Sequence, residues 1–374
     1  MRSLDLFRGC MLGGAVGDAL GYAVEFMSAS DILRKYGDNG ITEYDLHHGI
    51  AQISDDTQMT MFTATGLLLG TTRGMLRGIM GDYEDYIRYS YRDWYRTQTE
   101  RFPLPDYHYS WLVNVPGMFH RRAPGNTCMS ALGGSAEGSV AHSINHSKGC
   151  GGVMRVAPIG LYFADRRLPV EESDRIGAEA AAITHGHELG WLPAAMLVHI
   201  IRHLIEHEGE PILNAVRDAM DALPRVFPDT KHMQEFLTLI RKAVDLAGEE
   251  ADDLDAIRQL GGGWVGDEAL AIAVYCSLKH PQSFEDAVVA SVNHSGDSDS
   301  TGAITGNIMG AALGLKAIPE KYLEKLELRG VITELADDLC NDCRMEEYGD
   351  YEDPVWLAKY VEMTYPDPLC GQET

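Results

Sequence analysis

Apolar residues recur at spacings of three and four along most of the chain. The pattern runs through 59–69, 177–184, 191–205, 233–246, 264–278 and 300–315, and each stretch is predicted to be a helix that buries one face. Strand-like alternation rich in β-branched residues is nearly absent, and only 40–45 and 153–159 invite that reading. Residues 71–126 carry no clear repeat. Within them Tyr83, Tyr86, Tyr89, Tyr91, Trp94 and Tyr95 suit an amphipathic helix with an aromatic core face, a stacking site for bases being the alternative. The predicted class is all-α, a compact single-domain helical bundle.

Two of these helices share a second pattern. Gly9, Gly13, Gly17 and Gly21 fall every fourth residue, as do Gly302, Gly306, Gly310 and Gly314. Glycine costs an isolated helix about 1 kcal/mol relative to alanine, so eight of them need a reason. A four-residue spacing lays them on one helix face, where another backbone can approach. Asp18, Asn307 and Lys316 exclude a lipid-spanning use of the motif. The expectation is that both helices lie at the centre of one compact domain, contact with each other being one way to use the stripes. The first stripe, extended by four, reaches Glu25.

Length alone, 374 residues, would allow two or three domains. Acidic motifs near both ends favour one: residues 1–330, with 331–374 as an acidic helical extension packed on it. No run of eighteen apolar residues and no signal-peptide pattern occurs, so no membrane is expected. The seven cysteines are an odd number, and Cys10, Cys128, Cys150, Cys276 and Cys370 are isolated, which suits a reducing, cytoplasmic setting. Cys340 and Cys343 form a lone CxxC, read as helix-end packing. The formal charge is −25, from 56 acidic and 31 basic residues. Such a field argues against nucleic acid as a partner, leaves room for a small anion held by backbone N–H groups, and favours basic, arginine-bearing protein surfaces.

Two acidic pairs carry the candidate chemistry. Asp55-Asp56 and Asp297-x-Asp299 stand about 240 residues apart, and each opens an apolar helical run. Their oxygens, with those of neighbouring hydroxyls, suit a hard divalent cation such as Mg²⁺ or Mn²⁺ and suit zinc poorly. Helix capping competes with this: Ser54 or Asp55 with Gln58 reads as a capping box, and acids favour any helix N-terminus. The two motifs together favour metal. A third segment, 147–155, has Gly149, Gly151 and Gly152, which allow close approach of a phosphate, with Lys148 and Arg155 as charge complement; a plain turn is the alternative. His185, beside Gly186 at a helix end, is either a cap or a hydrogen-bond donor to a ligand. His146 and His294 are read as loop-ordering residues.

In order, these segments resemble the ADP-ribosylglycohydrolase family. The resemblance rests on 13–21 with Glu25-Phe26, on Ser54-Asp55-Asp56-Thr57, Gly125-Asn126-Thr127, Ser147 to Arg155, Thr184-His185-Gly186, Gly263-Trp264-Val265-x-x-Glu268-Ala269-Leu270 and Gly296-Asp297-x-Asp299-Ser300-Thr301-Gly302, and spans about residues 5–318. It implies an orthogonal helical bundle around a central binuclear cleft holding two Mg²⁺ or Mn²⁺ ions. It also implies removal of ADP-ribose from a modified protein, with arginine as the expected linkage. By that resemblance Ser54, Asp55, Asp56, Asp297, Asp299 and Ser300 are metal ligands, and Glu25 and Asp56 serve catalysis. Asn126, Ser147, Lys148, Gly149, Gly151 and His185 line the ADP-ribose cleft. The sequence lacks the aspartate that relatives carry just before Gly-Asn, and Asp106 is the candidate substitute. Alternatives are hydrolysis of a serine or small-molecule linkage, or an immunity protein that occludes a cognate ADP-ribosyltransferase.

Overall fold

The structure, a computed structural model, describes residues 2–79, 81–166 and 168–365. Cys370 and the last residues of the acidic extension lie outside them. Among the described residues there are seventeen α-helices and no strand. The N-terminal part holds α1 (Leu4–Tyr22), α2 (Ala29–Tyr36), α3 (Asp55–Arg77), α4 (Tyr83–Thr99) and α5 (Asn126–Gly133). The middle holds α6 (Ala157–Phe163), α7 (Val170–Ala182), α8 (Glu188–Glu206), α9 (Ile212–Val226), α10 (Met233–Ala247), α11 (Asp253–Leu260) and α12 (Gly266–Lys279). Then come α13 (Phe284–Val292), α14 (Ser298–Leu313), α15 (Glu320–Leu323), α16 (Arg329–Asn341) and α17 (Pro354–Tyr360). All six periodic stretches lie on helices.

α1 and α14 run antiparallel through the centre, and the glycine stripes face each other. A methyl group at Gly9, Gly13 or Gly17 would collide with the carbonyl of Gly310, Gly306 or Gly302 respectively, and the reverse clashes hold as well. The backbones are therefore close enough that only hydrogen fits between them, which explains glycine in helix interiors despite its propensity cost. Asn307 is buried in the same interface and donates from Nδ2 to the Cys10 carbonyl at 2.8 Å. Around this pair, α13 and α12 pack on α14, and α16 packs on α1, α3 and α6. α7, α8 and α9 form an adjoining layer. Tyr86, Tyr91 and Trp94 are buried on α4, the aromatic core face expected there.

The two candidate strands are not strands. Residues 40–45 are irregular because the Asn293 side chain takes the place of a partner strand: its Oδ1 accepts from Ile41 N–H at 2.7 Å and its Nδ2 donates to the Ile41 carbonyl at 3.0 Å. Residues 153–159 pass through a turn into α6, where Pro158 sits in the first turn and needs no backbone partner. Cys340 and Cys343 are buried at the end of α16, as free thiols.

Candidate functional site

The start of α3 is fixed from α1. Asp18 is fully buried among apolar neighbours, and its carboxylate accepts from Ser54 N–H at 3.0 Å, from Thr57 N–H at 3.1 Å and from the Thr57 hydroxyl. Burial pushes its pKa up to about 6 against these hydrogen bonds. The sequence signal for this role is an aspartate inside a glycine-rich apolar helix, where an unpaired charge would be costly. Ser54 is the N-cap of α3 and its Oγ accepts from Asp56 N–H at 3.2 Å. Capping therefore accounts for Ser54 but leaves the side chains of Asp55 and Asp56 free to point elsewhere. Gln58 does not complete a capping box: its Nε2 donates to the His120 carbonyl, and its Oε1 accepts from Trp94 and Gln98.

The second pair departs further from capping. Asp297 occupies the N-cap position of α14 without capping it through its side chain, while Asp299 Oδ1 accepts from Ser300 N–H at 3.0 Å. The turn before it is held from α12: Glu268 Oε2 accepts from Gly262 and Gly263 N–H, and Gly262 in turn accepts from Asp297 N–H at 2.8 Å. Gly263 has φ +78°, and a side chain at Gly296 would strike the Gly262 carbonyl. His294 Nε2 meets Thr301 Oγ1 at 3.0 Å, ordering the same loop.

These segments meet in one cleft of about 200 Å³, lined by Glu25, Asp55, Asp56, Asn126, Gly149, Gly151, His185, Asp297, Asp299 and Ser300, with Cys150, Met154 and Trp264 among the others. Glu25 lies past the end of α1 in a turn, rather than on the helix, yet one of its carboxylate oxygens lies within 4.8 Å of oxygens of Asp297 and Asp299. No lysine or arginine is among the lining residues. Burial, then the neighbouring Asp297, Asp55 and Asp18, raises Glu25 to about 8. Burial likewise raises Asp55 to about 8 and drives Asp56 and Asp299 well above the ordinary carboxylate range. Glu25 Oε2 and Asp56 Oδ2 are buried and have no hydrogen-bond partner. Orphaned buried oxygens within a set of five carboxylates fit a hard divalent cation.

Three expected residues stand just outside the lining. Ser54 is beneath it, and Ser147 and Lys148 flank it. The Ser147 hydroxyl bonds Thr127 Oγ1 at 3.0 Å and accepts from Gly149 N–H at 3.4 Å, tying α5 to the glycine loop. Cys150 donates its thiol to Asp297 Oδ2. Arg155 is a correction to the expected phosphate complement, because it is fully buried behind the site, over the Tyr91 ring at 4.3 Å. Its Nη2 donates at 2.8 Å to Thr184 Oγ1, which contacts His185 Nδ1 at 2.8 Å. Burial and the Arg155 charge pull His185 down to about 3, so the ring is neutral. His185 Nε2 faces Gly149 and Gly151, the ring being held at Nδ1 by the Thr184 hydroxyl. Asp106 is exposed, 3.8 Å from Arg96, and does not line the cleft. At the rim, Phe26 and Trp264 stack with centroids 6.1 Å apart while remaining 75% and 47% exposed.

The chain is similar to an ADP-ribosyl-[dinitrogen reductase] glycohydrolase of Rhodospirillum rubrum, 27% identical over 331 residues that cover 87% of this chain and 91% of that one. It is similar to an ADP-ribosylarginine hydrolase, Tri1, of Pseudomonas putida, 25% identical over 345 residues covering 90% and 78%. Among solved structures, an ADP-ribosylglycohydrolase-related protein complex shares the fold with a TM-score of 0.57 at 24% identity, over 90% of this chain and 98% of that one. The sequence model of the ADP-ribosylglycohydrolases matches residues 1–349, and the chain belongs to that family of hydrolases.

Proposed function

We propose that the protein removes ADP-ribose from ADP-ribosylated proteins by hydrolysing the N-glycosidic bond to arginine, with two Mg²⁺ or Mn²⁺ ions held in the central cleft. The observation that carries this reading is the convergence of Glu25, Asp55, Asp56, Asp297 and Asp299 in one cleft whose lining holds no lysine or arginine. The ligands would be these aspartates with Ser300 and Ser54, the latter by a hydroxyl that now caps α3. Bound there, the cations supply Lewis acidity towards the ribose hydroxyls and a nearby water.

The chain's own groups do the rest. Glu25, which has an unpartnered buried oxygen and lies beside Asp297 and Asp299, accepts the proton of the attacking water, and Asp56 fixes the geometry beside it. Water oxygen bonds to ribose C1 as the bond from C1 to the guanidinium nitrogen breaks, and the proton taken up by Glu25 passes to that nitrogen, so arginine leaves as its guanidinium and Glu25 is ionised again. The backbone N–H groups of Gly149 and Gly151 and the His185 Nε2–H receive the pyrophosphate; a neutral donor set suits an anion in a protein of charge −25. Lys148 and Ser147 flank it, and Asn126 borders the ribose. A cleft of about 200 Å³ is smaller than the roughly 300–1,000 Å³ of pockets that enclose a whole ligand. It holds one sugar ring with its ions, and the adenine lies over the rim against Trp264 and Phe26. Arginine as the linkage is supported by the name of the Pseudomonas putida relative.

The test is release of ADP-ribose from two substrates, one modified on arginine and one on serine. Release from the arginine conjugate is expected; release from the serine conjugate alone would move the assignment to the other linkage.

A further inference from the structure

α8 carries a second cluster, ~16 Å along its axis from Glu188. His199 and His203 are four residues apart and so share a helix face. Both rings aim at one atom of α9: His199 Nε2 lies 3.2 Å and His203 Nδ1 3.0 Å from Asp218 Oδ2. The three ligand atoms all lie within 4.8 Å of one another. In a tetrahedral zinc site with bonds of about 2.0–2.1 Å, neighbouring ligand atoms stand roughly 3.3 Å apart, close to the two distances observed here.

The outward nitrogens are held as well. His199 Nδ1 meets Asp174 Oδ2 of α7 at 2.9 Å, and His203 Nε2 meets Glu210 Oε2 at 3.4 Å. A carboxylate behind each imidazole is the arrangement that fixes the tautomer of a metal-binding histidine and raises its basicity. Asp174 is fully buried and its Oδ1 has no partner, and His199 is buried beside it, so the inner half of the cluster is anchored in the core. Asp218 is half exposed, which leaves the convergence point open to solvent on one side. One divalent cation at the convergence point would take the place of protons between the two rings and Asp218.

We propose that His199, His203 and Asp218 bind a borderline divalent cation of the zinc class, at a site separate from the carboxylate-rich central cleft. The ion takes two imidazole nitrogens and one carboxylate oxygen, with water completing the tetrahedron, and it clips α8 to α9. Asp174 and Glu210 position the two rings.

The experiment uses the full chain, stripped with chelator, and titrates it with Zn²⁺ by calorimetry and with Co²⁺ by visible absorption. Uptake is read as the difference between wild type and His203→Gln, so any binding in the central cleft cancels. One equivalent of Zn²⁺ is expected in wild type, weakened at least about 100-fold in His203→Gln, together with the intense bands of tetrahedral Co²⁺ in wild type only. Glu210→Gln is expected to weaken binding about 10-fold. If His203→Gln has lost its helical circular dichroism, Asp218→Asn replaces it as the comparison. Zn²⁺ uptake and Co²⁺ spectra that match between wild type and the folded variant overturn the proposal and leave the cluster as histidine–carboxylate ion pairs.

Discussion

Five carboxylates meet in the central cleft with no lysine or arginine among the residues that line it. At the far end of α8, by contrast, Asp174, Asp218 and Glu210 each face an imidazole. Burial acts on both sets, and the outcomes part. In the cleft, burial and neighbouring acids drive Glu25 up to about 8. At Asp218 the upward push of burial is outweighed by His203 and His199, and the pKa falls below its ordinary value. The first cluster is an excess of acid that either holds protons far above the ordinary range or takes a cation from outside. The second balances itself, and a metal there exchanges for protons.

An isosteric swap on each side would break this contrast most sharply. Asp299→Asn is expected to slow ADP-ribose release by about 10³-fold. It should also raise the melting temperature of the chelator-treated protein by ~2–4 °C, because it removes a carboxyl that the metal-free cleft can keep only by holding a proton the unfolded chain gives up. Asp218→Asn is expected to leave release unchanged and to lower the melting temperature slightly. If both variants melt lower than wild type, the contrast fails.

The next effect is on pH dependence. Glu25 holds its proton up to about 8 in the folded metal-free protein against an ordinary 4.5. Below the lower value both folded and unfolded chains are protonated. As pH rises through the window the unfolded chain loses its proton first, so stability falls from about 4.5 to about 8 and then levels. Asp55 acts in the same direction. Urea midpoints near pH 5 and pH 8 are expected to drop at the higher pH without cation and to converge when Mg²⁺ is added, since the cation needs the ionised form. A midpoint that rises with pH in the metal-free protein counts against the raised carboxylates.

Smaller effects test what holds the centre in place. Gly306→Ala must push apart α1 and α14, and denaturant unfolding is expected to show a loss of about 1–3 kcal/mol. Gly125→Ala, beside the cleft but with open space where a methyl would sit, is expected to stay within about 0.5 kcal/mol of wild type. Thr184→Val removes the hydroxyl between Arg155 and His185 and is expected to lower kcat/KM about 10-fold with the fold intact.

Much of the architecture is legible in spacing. The periodic stretches lie on α3, α7, α8, α10, α12 and α14, and the glycine stripes report a helix contact so close that no other residue fits there. α9 is harder to read: Ile212, Ala215, Val216, Ala219, Leu223 and Val226 have the right spacing, but alanines dilute it and Pro224 interrupts it. Short helices such as α2, α11 and α15 offer too few turns for a period to show. At the site, residue type and order pointed to the acids, but direction did not follow from order. Arg155 stands in a glycine-rich loop yet turns inward, since its guanidinium bonds Thr184 and covers Tyr91. Asp18 is legible only as an anomaly, a lone acid in an apolar helix, and its task of holding the start of α3 needs the folded contact to be seen. The histidine cluster depends on α8 meeting α9, a contact that no local motif announces.

Chelation followed by readdition of Mg²⁺ or Mn²⁺, with ADP-ribose release from an arginine-modified protein as the readout, tests the carboxylate cleft most directly. Release is expected to stop in chelator and to return with either cation in wild type, but not in Asp299→Asn. Release that persists in chelator, or that returns equally in Asp299→Asn, would contradict a cation held by these carboxylates as the working centre.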